Sequence, residues 1–169
     1  MSTALLVIAQ DGYQDHELKG TRDGLVEAGF DIVLASKEAG TCTGKLGGSE
    51  QADLALRDVH VSDYDRIAFI GGPGMIAYAD EPDAVQVARA AAATGMPLGA
   101  ICIAPTILAK ADVLSGKQAT VWDHEGAQQA LLEQYGALYT GDNVTIDGSI
   151  VTANGPHAAE EFGKTFAEM

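Results

Sequence analysis

Residues 99–108 read Gly-Ala-Ile-Cys-Ile-Ala-Pro-Thr-Ile-Leu. The apolar run before Cys102 predicts a buried strand, and Pro105 followed by Thr-Ile-Leu-Ala-Lys-Ala predicts the first turn of a helix, because the fixed φ of proline suits that position. Cys102 therefore falls at a strand-to-helix turn. The same alternation extends in both directions. Residues 3–9 (TALLVIA) predict a continuous apolar strand, DGYQD a turn, and HELKGTRDGLVEAG a helix with Leu18, Leu25, Val26 and Ala28 on its apolar face, ended by Gly29. FDIVLAS predicts a second strand, residues 37–50 a polar hairpin, and 66–70 a strand running into Gly-Gly-Pro-Gly. EPDAVQVARAAAATG carries an early proline, first-turn acids and a closing glycine, which together mark a helix. Downstream, KQATVW predicts a strand, DHEGAQQALLEQYG a helix with an acidic cap, NVTIDGSIVTA a hairpin about Asp147-Gly148, and GPHAAEEFGKTFAEM a terminal helix. Strands alternating with helices require crossover connections, so the fold class is α/β: a mostly parallel sheet with helices on both faces.

The 169 residues suit one domain, residues 1–169, with a substantial core. A hydrophobic content of 47% without low-complexity tracts excludes a disordered or fibrous chain. Its longest apolar runs fall far short of the roughly 20 residues that span a bilayer, and the N-terminus lacks the basic start of a signal peptide, so a cytoplasmic protein with no membrane partner is expected. The net charge of −14, from 24 acids against 10 Lys plus Arg, repels phosphate backbones, and no basic patch offsets it; nucleic acid is not an expected partner. The acid excess also resembles a salt-adapted surface, although solubility alone accounts for it.

Cys42, in the Gly/Thr-rich EAGTCTGKLGG, and Cys102 make a poor case for a disulfide in a cytoplasmic chain, so both thiols are expected free. His16, His60, His124 and His157 show no metal-ligand spacing, and no metal is expected.

Sites in parallel sheets form at the carboxyl ends of strands, and three such ends carry unusual residues: DGYQDHE, GGPG and CIAP. A cysteine beside a helix N-terminus is favoured as the thiolate nucleophile. Backbone N–H groups of Ile103 and of Gly71 and Gly72 can converge on an oxyanion, with glycine permitting close approach, and Glu17 supplies acid/base capacity. Each feature has an ordinary structural reading as well: a packed inert cysteine, a simple glycine turn, and a first-turn acid that complements the helix dipole.

Taken in order and spacing, ALLVIAQDGYQDHEL, FIGGPG, AICIAPTILA and DGSIVTANGP resemble the ThiJ/PfpI superfamily, also called the DJ-one family, over essentially the whole chain. The resemblance implies a flavodoxin-like fold in which Cys102 is the elbow nucleophile, Glu17 bonds to its sulfur, and the N–H groups of Gly72 and Ile103 line an anion pocket. It also implies a homodimer, for which the apolar helix end GLVEAGF offers a face. Peptidase-type members carry histidine directly after the cysteine. Here that residue is Ile103, which accepts no proton, so the resemblance points instead to glyoxalase, deglycase and stress-protein members. His124, in VWDHEG, falls near where some members bring a histidine toward the sulfur, and His157 replaces a residue that is usually small. The expected function is a cofactor-free, cysteine-dependent conversion of small reactive carbonyls, of the methylglyoxal-to-lactate type, with His124 as an optional second base. The alternative is a redox-sensing stress protein or holdase whose Cys102 is oxidised to the sulfinic acid. An isocyanide hydratase has no supporting motif.

Overall fold

The computed structural model describes residues 1–169. The chain runs β1 (Thr3–Val7), β2 (Asp11–Tyr13), α1 (Asp15–Glu27), β3 (Asp31–Ser36), β4 (Gly40–Gly44), β5 (Ser49–Ala52), β6 (Leu54–Ala55) and β7 (Arg66–Phe69). A 3-10 stretch, Pro73–Asp80, leads to α2 (Pro82–Thr94), β8 (Leu98–Ile101), α3 (Pro105–Lys110), β9 (Gln118–Ala119) and α4 (Ala127–Gln134). The remainder is β10 (Leu138–Tyr139), β11 (Val144–Asp147), β12 (Ile150–Ala153) and α5 (Ala159–Glu168).

Seven strands form the main sheet in the order β11-β12-β8-β7-β1-β3-β6. All neighbours pair in parallel except β11, which forms an antiparallel hairpin with β12. Every residue of β7, β8 and β12 is buried, which explains why these strands read as continuous apolar runs rather than alternating ones. The step from β1 to β3 moves one way along the sheet and the step from β7 to β8 moves the other. Right-handed crossovers in opposite directions place α1 and α2 on opposite faces. Phe162 and Phe166 of α5 cover Gly99 of β8, and α5 also packs on α1. The α1/α5 crossing is close because a Cβ on Gly24 would lie 2.5 Å from the Gly163 carbonyl carbon.

Three local readings differ from the sequence expectation. Asp11–Tyr13, expected as a turn, joins β4 and β5 in a separate three-stranded sheet. The strand expected from KQATVW shrinks to Gln118–Ala119, paired in parallel with β10. On α1 the buried positions are Glu17, Leu18, Thr21, Gly24 and Leu25, whereas Val26 is 55% exposed and Ala28 is exposed as well. That set is one helical face, and the polar Glu17 and Thr21 within it hide it from a reading based on hydrophobicity. The acidic cap expected before α4 is present: Asp123 Oδ1 accepts from the N–H groups of Gln128 and Gln129. No helix is long and apolar enough to cross a membrane.

Candidate active site

Neighbouring strands β1 and β7 lead their crossovers in opposite directions, so the loops after them part and leave a crevice at their carboxyl ends. The loop after β1 enters α1 at Gln14, the loop after β7 is Gly71-Gly72, and the turn after β8 is Cys102. Gln14 N–H donates to the Gly71 carbonyl at 2.9 Å and Cys102 N–H to the Ala153 carbonyl at 2.8 Å, joining these loops to one another and to the end of β12.

Cys102 has φ 65°, in the left-handed region that non-glycine residues seldom occupy. Such backbone persists only where its surroundings over-determine it. Here the Trp122 N–H fixes the Cys102 carbonyl at 2.8 Å, and α3 begins three residues later at Pro105. The sharp turn makes Cys102 the elbow expected at this position. The backbone N–H groups of Ile103 and Gly72 lie close enough to its sulfur to favour the thiolate in part. Gly71 has no room for a side chain, since a Cβ there would lie 2.5 Å from both Cys102 Cβ and Glu17 Oε1. A Cβ on Gly72 would lie 2.6 Å from the Gln14 nitrogen, at a φ of 119° that suits glycine.

Glu17 is fully buried. Its Oε1 accepts the Gly71 N–H at 3.0 Å, its Oε2 has no full hydrogen bond, and its side-chain neighbour is Cys102. Burial raises the carboxyl from 4.5 to about 7, against smaller lowering effects from Cys102, the Gly71 N–H and the charge of Lys45. Glu17 is therefore not the exposed first-turn acid of the ordinary reading. Gln14 takes the capping role instead, its Oε1 accepting from the N–H groups of His16 at 2.7 Å and Glu17 at 3.1 Å.

The sulfur departs from expectation in one respect. A helix N-terminus favours thiolate, but burial first, and then the charge of Glu17, push the Cys102 thiol up to about 12. The six residues of α3 supply little opposing dipole, and the N–H groups of Ile103 and Gly72 offset only part of the rise. The share due to Glu17 disappears whenever Glu17 holds a proton. Cys102 and Glu17 thus form a coupled pair that holds two protons below about pH 7 and one proton above it.

The sulfur opens onto a cleft of about 290 Å³ lined also by Gln14, Lys45, Pro73, Ile76, Trp122 and Pro156. The structure brings Cys102, Glu17, Gly71, Gly72 and Ile103 together, but Gly71 is not free to serve as the expected oxyanion donor because its N–H is taken by Glu17 Oε1. His124 is not among the lining residues: its side chain is 69% exposed and its ring stacks on Trp122, with centroids 6.0 Å apart. The tryptophan on which it stacks, and not the histidine, lines the cleft, so the expected second base is not placed there. His157 lies in the 3-10 turn before α5, with Nε2 3.2 Å from Asn143 Oδ1. Gln14, Lys45 and Trp122 were not marked by the sequence. Local signals were weak, since a capping glutamine and a hairpin-tip lysine look like surface residues until β2 pairs with β4.

Cys42 is fully buried in β4, and burial raises its thiol as well. Both cysteines are free. Iodoacetamide labelling followed by peptide mass spectrometry is expected to modify Cys102 at least about 100-fold faster than Cys42, because only Cys102 opens onto a cleft. Cys42→Ser leaves labelling intact and Cys102→Ser removes it; equal rates for the two variants contradict this.

The DJ-1/PfpI family model matches residues 2–169. Deglycase PfpI of Pyrococcus furiosus is 30% identical over 165 residues, covering 98% of this chain and 98% of its own. The glutathione-independent glyoxalase DJR-1.2 of Caenorhabditis elegans is 28% identical over 166 residues, covering 98% and 87%. The solved structure of a ThiJ/PfpI domain protein from Brachyspira murdochii matches with a TM-score of 0.93 at 27% identity, covering 98% of this chain and 94% of that one. With the family model and a solved fold each matching nearly the whole length, the chain belongs to the DJ-1/PfpI family.

Proposed function

We propose that the protein is a cysteine-dependent enzyme of the deglycase and glyoxalase kind, acting on small reactive carbonyls and converting methylglyoxal to lactate. The observation that carries this reading is the fully buried Glu17 carboxyl set against Cys102 at a left-handed elbow. An acid raised to about 7 both gives and takes a proton near neutrality. Relatives named deglycase and glyoxalase support the same class.

Glu17 takes the Cys102 S–H proton as the sulfur adds to the aldehyde carbon, forming a C–S bond and moving the carbonyl electron pair to oxygen, which faces the N–H groups of Gly72 and Ile103 and receives that proton from Glu17. The resulting Glu17 carboxylate removes the C–H proton of the hemithioacetal. A proton passes between the two oxygens of the enediolate, and Glu17 reprotonates the neighbouring carbon to give a thioester. Water then cleaves the C–S bond, releasing lactate and restoring the pair. One carbon is oxidised and its neighbour reduced, so no external electron acceptor is needed. The cleft's apolar lining by Ile76, Trp122, Pro73 and Pro156 suits a substrate of a few carbons.

Incubation with methylglyoxal is expected to give lactate, and Cys102→Ser to lower the rate at least about 1,000-fold. No lactate from the wild-type protein, with peroxide converting Cys102 to the sulfinate, assigns redox sensing instead. We further infer a homodimer, supported by the family and by the exposed Val26 on α1; light scattering at micromolar concentration is expected to give twice the chain mass of 17.5 kDa.

A further inference from the structure

We propose that Lys45 makes the cleft selective for small aldehydes that carry an anionic group, a carboxylate or a phosphate, beside the reactive carbonyl. This deepens the carbonyl reading of the site and rests on it.

The charge census of the molecule isolates this residue. Of the ten basic side chains, Lys19, Arg22, Lys37, Arg57, Lys110, Lys117 and Lys164 make ion pairs with carboxylates. Arg66 and Arg89 donate to backbone carbonyls. Lys45 alone has neither, although the chain carries 24 acids. It is also the basic residue that lines the cleft beside Cys102, and its charge acts on buried Glu17.

The position of Lys45 is built rather than incidental. Asp15 holds the hairpin tip, its Oδ2 accepting the Leu46 N–H at 2.8 Å and its Oδ1 the Gly48 N–H at 2.9 Å. The Lys45 N–H itself donates to the Tyr13 carbonyl at 2.8 Å. In the same cleft, Gln14 uses its Oε1 on the first turn of α1, and its amide N–H groups have no protein acceptor. A free ammonium and a free amide donor thus line the cleft that holds the nucleophile. The unpartnered Oε2 of Glu17 lies in the same site, buried. On a surface of formal charge −14, which repels anions, an unpaired cation at the mouth of the nucleophile's cleft reverses the local preference.

Iodoacetate and iodoacetamide differ chiefly by one charge, and a thiolate ordinarily reacts more slowly with the anion. The ratio of their rates at Cys102 therefore reads the field around the sulfur, and any effect of Lys45 on thiol ionisation moves both rates together and cancels. The wild-type ratio of iodoacetate to iodoacetamide is expected to exceed that of Lys45→Gln by about tenfold, and Lys45→Arg to retain it within about twofold. An equal ratio in the wild type and Lys45→Gln overturns the proposal. Protection of Cys102 from iodoacetamide by glyoxylate, glycolaldehyde phosphate and neutral glycolaldehyde separates the two anions: stronger protection by glyoxylate assigns carboxylates, stronger protection by the phosphate assigns phosphates, and no advantage of either over glycolaldehyde overturns anion selectivity. The lactate assay reports the carbonyl reading separately. Loss of the ratio effect with lactate still formed removes only the role of Lys45, and a ratio effect without lactate removes only the glyoxalase chemistry.

Discussion

Glu17→Gln is expected to unfold at a higher temperature than the wild-type protein at pH 8, by roughly 6–10 °C, and at nearly the same temperature at pH 4. The sign follows from linkage. Folding raises the Glu17 carboxyl from 4.5 to about 7, so the folded state favours the protonated form. Below pH 4.5 both folded and unfolded chains hold the proton and no penalty exists. As pH rises toward 7 the unfolded chain ionises first, and the native state loses stability until Glu17 ionises too, a total of about 3 kcal/mol. The amide keeps an acceptor for the Gly71 N–H and carries no charge, so the variant escapes this loss. Thermal melts at the two pH values decide it: a difference independent of pH contradicts the assignment. The same substitution is expected to lower carbonyl turnover by roughly 100-fold or more, because glutamine neither accepts nor returns the substrate proton. Alkylation of Cys102 is not expected to fall, since the Glu17 charge is among the causes that raise the thiol. Gained stability, lost turnover and retained thiol reactivity in one variant are the signature of a group held at a cost to the fold for its chemistry.

Gly71→Ala is expected to lower turnover at least about 100-fold and to destabilise the fold by about 1–3 kcal/mol. The added Cβ would lie 2.5 Å from Cys102 Cβ and from Glu17 Oε1, and 2.8 Å from the Ile101 carbonyl oxygen. The last contact is backbone and cannot yield by changing a rotamer, so the loop itself must shift. Gly71 also supplies the N–H that fixes Glu17 Oε1 and the carbonyl that accepts from Gln14, and displacement breaks both. A useful contrast is Gly95→Ala at the end of α2, where a φ of 78° disfavours alanine but nothing lies within 4 Å. That change strains the backbone without touching the site, and its turnover is expected to stay within about twofold. Equal loss in the two variants, measured on protein shown to be folded by circular dichroism, contradicts the special role of Gly71.

Much of the architecture was legible in the chain because its signals are local. Pro82 and Gly95 bracket α2, Asp147 precedes a two-residue hairpin turn, and β8 and the part of β7 after Arg66 are buried apolar runs of the kind a parallel sheet covered on both faces requires. The turn at Cys102 was legible for the same reason: strand, cysteine, proline and helix follow within a few residues. What the tertiary structure alone decided are properties of burial and of pairing between distant segments. Glu17 lies in an acidic, polar helix start that local patterning alone reads as solvated; the family resemblance set it against the sulfur, and the packing of α1 against the loop after β7 buries it and raises its carboxyl. Lys45 sits at a polar hairpin tip until the Asp15 carboxylate and the Tyr13 carbonyl draw that tip against the cleft. The family resemblance brought His124 toward the sulfur, whereas its exposed ring stacks on Trp122 and is not among the residues that line the cleft. Sequence carries the propensities of neighbouring residues. The protonation state of a carboxyl and the reach of a side chain depend on what the fold sets beside them, from segments 28 to 85 residues away.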